Sequence, residues 1–557
     1  MVIKQKLILI AILSICLIIQ ILPVIRSGLN YAYGIGYWGP NGHDAVWHLS
    51  LINHISNPYD IDMPIFAGAK LKNYHPFFDI LISFLANLSH LSGSVWLFQI
   101  FPIISAFILL WLSFIFGRMI TKSFIGGLIL VVLNTMANSF GWLVTFVRFG
   151  NFSGESVFWA MQSPSNQINP PYNLSLIFIL ILLIIIYRHL HSNINLFESV
   201  IVFLILSLLP ITKAYSAIIG FSSFGFYCLQ HKSFKNFFIL LISIIFSFTL
   251  FFHFNPQSSG LLVFKPFWFI NSMVDSIDKL AILKLSSFRN TLESLPYLDL
   301  RLILVYIFTF IVFILGNFGW RLLGFFKLNL KDHFHLLLTF NIFLLIIIPT
   351  FFIQKATSWN TIQFLYYALF LSNIFLAIYL KSIFPKLSGK LLIAFILVTY
   401  IFGLIGSLPN YLGKIPPASL PISEQQALKF LSKQPKGIVL TAPYDSYLKS
   451  KFSTTPLPLY VYETTAYVSA YSHQLVFLED EMNSENSGFD STTRRQSEIA
   501  FFTQKNVFQD RGFLVNNQID YIYLTGYQKN LYQLPASELF LEKIFENESC
   551  LIYHVQR

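Results

Sequence analysis

Residues 7–25 read LILIAILSICLIIQILPVI, and residues 362–380 read IQFLYYALFLSNIFLAIYL. Neither run holds a charged side chain. As a helix each reaches across the ~30 Å hydrocarbon core of a bilayer. Similar apolar runs fall at 95–117, 124–145, 173–187, 198–212, 214–229, 236–254, 300–319, 334–353 and 391–409. The expected fold is therefore mainly α, a polytopic transmembrane bundle of about eleven spans.

Composition agrees. Of 557 residues, 55% are hydrophobic and 11% charged, and the mean hydropathy is +0.63. An average soluble domain carries about 25% charged residues, so this chain has too few to cover a water-exposed surface. A soluble enzyme, a disordered chain, a coiled coil and a disulfide scaffold are excluded. The three cysteines, Cys16, Cys228 and Cys550, are too scattered for a disulfide framework or a cysteine metal site.

The net charge of +11 divides into +13 over residues 1–409 and −2 over 410–557. The excess lies between spans, where Lys and Arg mark cytoplasmic loops. With the N-terminus placed in the cytoplasm, the short inside loops hold Lys4, Lys6, Arg118, Lys122, Arg188, Lys232, Lys235, Arg321, Lys327, Lys331, Lys381, Lys386 and Lys390. The long loops 26–94 and 255–299, and the moderate one at 146–172, then face outward, as does everything after 409. No basic stripe with interleaved aromatics marks a nucleic-acid surface. The expectation is a multi-pass protein of the plasma (inner) membrane, divided into a membrane domain, 1–409, and an extracytoplasmic α/β domain, 410–557. In the latter, helix EQQALKFL, strands GIVLTAP and QLVFLED, helix TRRQSEIAFFTQ, strand IDYIYLTG and a final pair around IFENESCLIYHV alternate. No phosphate-binding glycine loop, nucleophile elbow or metal-ligand spacing appears there.

Chemistry concentrates in the first outer loop, whose residues 41–79 read NGHDAVWHLSLINHISNPYDIDMPIFAGAKLKNYHPFFD. His43-Asp44 opens a helix, and Asp44 and His48 share one of its faces. A carboxylate at a helix start on the water–lipid boundary can take a proton from an acceptor hydroxyl or ligate a divalent cation. The alternative is that Asp44 only caps the helix, and that His48 and His54 only pack. Residues 76–93 are apolar but short, carry Asp79, Asn87 and His90, and as a span would invert every later loop; they are read as an interfacial helix, with Phe77, Leu81, Phe84 and Leu88 on one face.

An N-terminal span, a long outer loop with an early acidic residue, a Tyr74-His75-Pro76-Phe77-Phe78 interfacial helix, many spans and a C-terminal α/β domain together resemble the GT-C class of membrane glycosyltransferases. Protein O-mannosyltransferases, aminoarabinose transferases and oligosaccharyltransferase catalytic subunits share this layout. The resemblance implies transfer of a sugar from a polyprenyl-phosphate donor to an acceptor on the outer face. It makes Asp44 the base, with His43 and His48 orienting it or the acceptor. It also asks for cations to hold the donor phosphate. Lys213, with Tyr215 beside it, and Lys355 fit that role best, and His75 and Arg148 complete the candidate substrate-binding set. The sequence departs from the class in having no adjacent acidic pair and no Asp-x-Asp at Asp44. Asp60-Ile61-Asp62 comes late, between Pro58 and Pro64. A divalent metal therefore has no clear motif, and no cofactor is identified. The implied partners are a lipid-linked sugar donor and membrane lipids. Two other readings stay open: a transporter or flippase of a lipid-linked substrate, and a non-catalytic membrane assembly protein.

Overall fold

The computed structural model describes residues 3–256, 262–297, 299–355, 357–504 and 506–556. Contacts divide the chain into two compact units. One comprises Met1–Pro23, Pro102–His253 and Ser258–Leu412; the other comprises Val24–Phe101, Phe254–Gln257 and Gly413–Arg557.

The first unit is helical. Among the described residues, eight helices are long and apolar enough to cross a membrane: Ile3–Ile21, Gly93–Thr121, Pro170–Arg188, Phe234–Phe254, Leu300–Lys327, His333–Phe351, Ser358–Ile383 and Leu387–Ser407. A ninth is the pair Phe124–Met136 and Gly141–Phe149, bent by 48° at the break. The two remaining apolar runs form the helices Leu196–Thr212 and Ala214–His231. Each of the eleven runs read from the sequence is thus helical. Ser358–Ile383 is largely buried and packs against residues 319–327, His333–Phe351 and Phe124–Met136, whereas Phe234–Phe254 exposes most of its apolar surface. An apolar helix buried on all sides sits centrally, and one exposed on most sides faces lipid.

The break between Leu196–Thr212 and Ala214–His231 lies at Lys213, whose backbone is extended; Pro210 falls inside the last turn of the preceding helix. Proline removes a helix donor. The Leu206 carbonyl left over accepts from the Ser247 hydroxyl at 3.4 Å.

Arg321 departs from its assignment to a basic inside loop. It is fully buried. The chain continues from the Leu300–Phe318 helix as a 3-10 turn that carries it inward. Its guanidinium donates to Asn373 Oδ1 (2.8 Å), Gln162 Oε1 (2.9 Å) and the Ala137 carbonyl (2.9 Å). Carbonyl and amide oxygens, not a carboxylate, satisfy the buried charge.

Among the described residues, the second unit contains two sheets. In the five-stranded one, Val439 and its neighbours in Ile438–Thr441 pair in parallel with Leu475–Val476 on one side and Ile519–Thr525 on the other. The hairpin Leu541–Glu546/Cys550–Val555 extends it antiparallel. A smaller sheet joins distant parts of the chain. Gly34–Tyr37, paired with Asn30–Tyr31, lies antiparallel to Ala418–Leu420, which pairs in parallel with Leu457–Pro458. The first long loop thus packs with residues 413–557 as one body. The segment read as interfacial is a helix, Phe77–Ser89, about 20 Å long and short of a bilayer core. It buries Phe78, Asp79 and Ile82 and exposes Phe84 and Leu88.

Candidate active site

Trp38 leads into a short turn, Gly39–Gly42, after which the Asp44–His54 helix begins. The cap residue is His43, whose side chain makes no capping bond, and Asp44 is the first helical residue. The Asp44 carboxylate is 58% exposed, and its Oδ1 lies 2.8 Å from His43 Nδ1. On the other side of the ring, His43 Nε2 lies 3.3 Å from Asp480 Oδ1, and the Asp480 side chain is fully buried.

Asp480 is held firmly. It occupies the left-handed region (φ 47°) and caps the Glu481–Asn486 helix. Its Oδ1 accepts from the Asn483 backbone N–H and its Oδ2 from the Asn483 amide at 2.7 Å. A non-glycine residue in that conformation carries a backbone cost, and such residues cluster at functional sites. Burial works against a charged imidazole at His43. The Asp480 and Asp44 carboxylates together outweigh it and push the pKa up to about 11. At neutral pH His43 is an imidazolium between two carboxylates, one buried and one open to solvent.

One turn along, His48 Nδ1 lies 2.7 Å from Asp79 Oδ1, with the Tyr74 hydroxyl 3.3 Å from the same nitrogen. Asp79 is fully buried, and burial raises its pKa against the pull of His48. A carboxylate on Nδ1 fixes the ring's orientation, the second use of an Asp–His pair after charge balance. The Asp44–His54 helix thus presents Asp44 with His43, and then His48 with Asp79.

The other histidines take different places. His54 donates through Nδ1 to the Ser50 carbonyl (2.8 Å) and has Nε2 3.2 Å from the Gln474 carbonyl; burial lowers its pKa to about 4, so it is neutral and structural. His75 is half-buried, with its ring 4.8 Å from Tyr74. The late Asp60-Ile61-Asp62 pair is clamped from within: Lys70 Nζ lies 2.9 Å from Asp60 and 2.8 Å from Asp62, all on the surface.

The remaining candidates belong to the first unit. Lys213 is buried, with Nζ 3.4 Å from Asn169 Oδ1 and 5.7 Å from the centre of the Tyr215 ring. The Tyr215 hydroxyl donates to Gln354 Oε1 at 3.2 Å, and the next residue, Lys355, is exposed. Lys213 and Tyr215 therefore form one polar neighbourhood with Asn169 and Gln354. Arg148 stands apart, donating to the Lys279 and Leu280 carbonyls. Among the described residues, no group of three or more His, Cys, Asp or Glu side chains is arranged to hold a metal ion.

Two partners of His43 and His48 escaped the sequence reading. Asp480 lies 437 positions from His43, and no local pattern joins them. Its one signal is Glu479-Asp480-Glu481, three consecutive acids just beyond a strand end, where open α/β sheets gather ligand groups. Asp79 was visible as a carboxylate on an apolar helix, a position that asks for a partner.

The fold is similar to that of two solved glycosyltransferases. Among solved structures, the chain is similar to the oligosaccharyltransferase AglB from Archaeoglobus fulgidus, determined with an inhibitory peptide and a dolichol-phosphate. The TM-score is 0.50 at 10% identity, over 99% of this chain and 75% of that one. It is also similar to the arabinofuranosyltransferase AftD from Mycobacteria, with a TM-score of 0.51 at 10% identity, over 99% of this chain and 41% of that one. No family model matches the sequence, and no curated protein matches it.

Proposed function

We propose that the protein is a membrane glycosyltransferase that moves a sugar from a polyprenyl-phosphate donor to an acceptor hydroxyl on the outer face. The observation that carries this reading is the Asp44–His43–Asp480 array, an exposed carboxylate positioned by a buried ion pair. Asp44 takes the acceptor proton as the acceptor oxygen bonds to the sugar's anomeric carbon. The bond from that carbon to the phosphate oxygen breaks, and the lipid phosphate leaves with the electron pair. His43 holds Asp44 and, as an imidazolium, offsets one of the two negative charges beside it; His48, oriented by Asp79, binds an acceptor hydroxyl. In the membrane unit, the ammonium groups of Lys213 and Lys355 are assigned to the donor phosphate, with Tyr215 supporting Lys213. Such a donor requires no nucleotide-binding fold. The AglB relative's dolichol-phosphate supports the donor class by analogy of fold.

The test is transfer of labelled sugar from synthetic polyprenyl-phosphate donors by the purified protein in nanodiscs. Asp44-dependent incorporation is expected; incorporation from none of a panel of hexose and pentose donors sinks the reading.

The reading also requires the second unit to face outward. The three native cysteines are buried, so single introduced cysteines can be probed cleanly. Thr492→Cys, on an exposed site, is expected to react with an impermeant maleimide added outside intact cells, and Lys327→Cys only after lysis. The reverse pattern overturns the orientation.

A further inference from the structure

At the end of the bundle that carries the basic loops, the Ile3–Ile21 and Gly93–Thr121 helices leave a groove of about 680 Å³ between them. Its floor is Leu9 and Phe114, both buried in a small core with Leu13, Cys16 and Val131. Its walls are Ile10, Trp111 and Ile115, all exposed to the surroundings. Its rim is cationic: Lys6 on one helix, Arg118 on the other, and Lys122 just past the latter's end. Among the described residues, no carboxylate pairs with these three. Lys122 holds the left-handed backbone conformation (φ 50°) at the turn into the next helix, a position where glycine or asparagine costs less.

An apolar trough opening sideways toward lipid, with cations only at its water end, has the polarity of one phospholipid molecule. We infer that this groove is a binding site for an anionic glycerophospholipid. Its phosphate sits among Lys6, Arg118 and Lys122, and an acyl chain lies along Ile10, Trp111 and Ile115 over Leu9 and Phe114. Charge complementarity selects the headgroup: three cations gathered at one membrane boundary favour an anionic lipid over a zwitterionic one. The walls face the surrounding leaflet, so the occupant is a bulk diacyl lipid and not the polyprenyl phosphate of the reaction.

The experiment uses the full chain in detergent micelles, titrated with dioleoyl-phosphatidylglycerol, dioleoyl-phosphatidylcholine or polyprenyl phosphate, with bound lipid counted by native mass spectrometry. Phosphatidylglycerol is expected to bind at least tenfold more tightly than phosphatidylcholine. Each cation contributes about fivefold, so K6Q/R118Q/K122Q should lose roughly 100-fold. The control K327Q/K331Q/K386Q removes three exposed cations elsewhere on the basic loops and should lose less than threefold. Should the first triple fail to fold, Ile115→Trp fills the trough with every charge retained and should lower affinity at least fivefold. Equal losses in the two triples would reduce the site to diffuse surface charge and overturn the inference. So would an absent preference for phosphatidylglycerol, tighter binding of polyprenyl phosphate, or an Ile115→Trp variant that binds as the wild type does.

Discussion

Asp44→Asn is expected to fold normally and to lose 10²- to 10⁴-fold in transfer rate, the usual contribution of a positioned general base. Folding should survive because the carboxylate is 58% exposed and the cap position belongs to His43, not to Asp44. What the helix loses is one negative charge in its first turn, worth about 0.3–1 kcal/mol. Were the aspartate only a helix-start residue, the same variant would be harmless to activity. Asp60→Asn and Asp62→Asn are the controls. Those carboxylates are occupied by Lys70 on the surface, so transfer should stay within threefold of wild type. If the controls abolish transfer and Asp44→Asn does not, the base has been assigned to the wrong carboxylate.

His43 should make the stability of its unit fall with rising pH. Its folded-state pKa is pushed up to about 11, above the ordinary value near 6.5. The stabilisation is then complete below about pH 6.5 and is lost as pH climbs through the folded value. Each pH unit between the two values contributes about 1.4 kcal/mol at full effect. A loss of about 2.5 kcal/mol between pH 7 and 9 is therefore expected, read by thermal or denaturant unfolding. His43→Gln should flatten that dependence. Asp480→Asn should remove most of it and destabilise the unit by about 3 kcal/mol, because it strips a buried charge of its partner. An unchanged pH slope in His43→Gln would show that the imidazole is neutral in the fold, and the charge-balancing role would go with it.

The bundle was legible because a span writes itself locally: an unbroken apolar run such as 362–380 has one stable solution in lipid. The α/β unit was legible for a similar reason. The strand IDYIYLTG and the hairpin around IFENESCLIYHV carry their pairing and turn signals within a few residues. The shared helix of Asp44 and His48 was legible too, since the two lie one helical turn apart. The partners Asp480 and Asp79 were not. Which buried carboxylate meets which imidazole is decided by how distant segments pack, and a single sequence holds no record of that. Arg321 misled for a related reason. Charge alone places an arginine in a loop, and only the oxygens of Asn373, Gln162 and Ala137 explain its burial.

The small sheet that pairs Gly34–Tyr37 with Ala418–Leu420 places a constraint on biosynthesis. The early strand is made first and must wait for its neighbour while some 380 residues follow. At the ribosomal pace of 5–20 residues per second, that delay is roughly 20 to 80 s. Throughout it, the His43–Asp44 segment stands without Asp480 and with an open strand edge, the kind of edge that recruits other chains. Assembly of the Asp44–His43–Asp480 array is thereby tied to completion of translation. A nascent chain arrested before residue 418 would display the carboxylate without the structure that positions it.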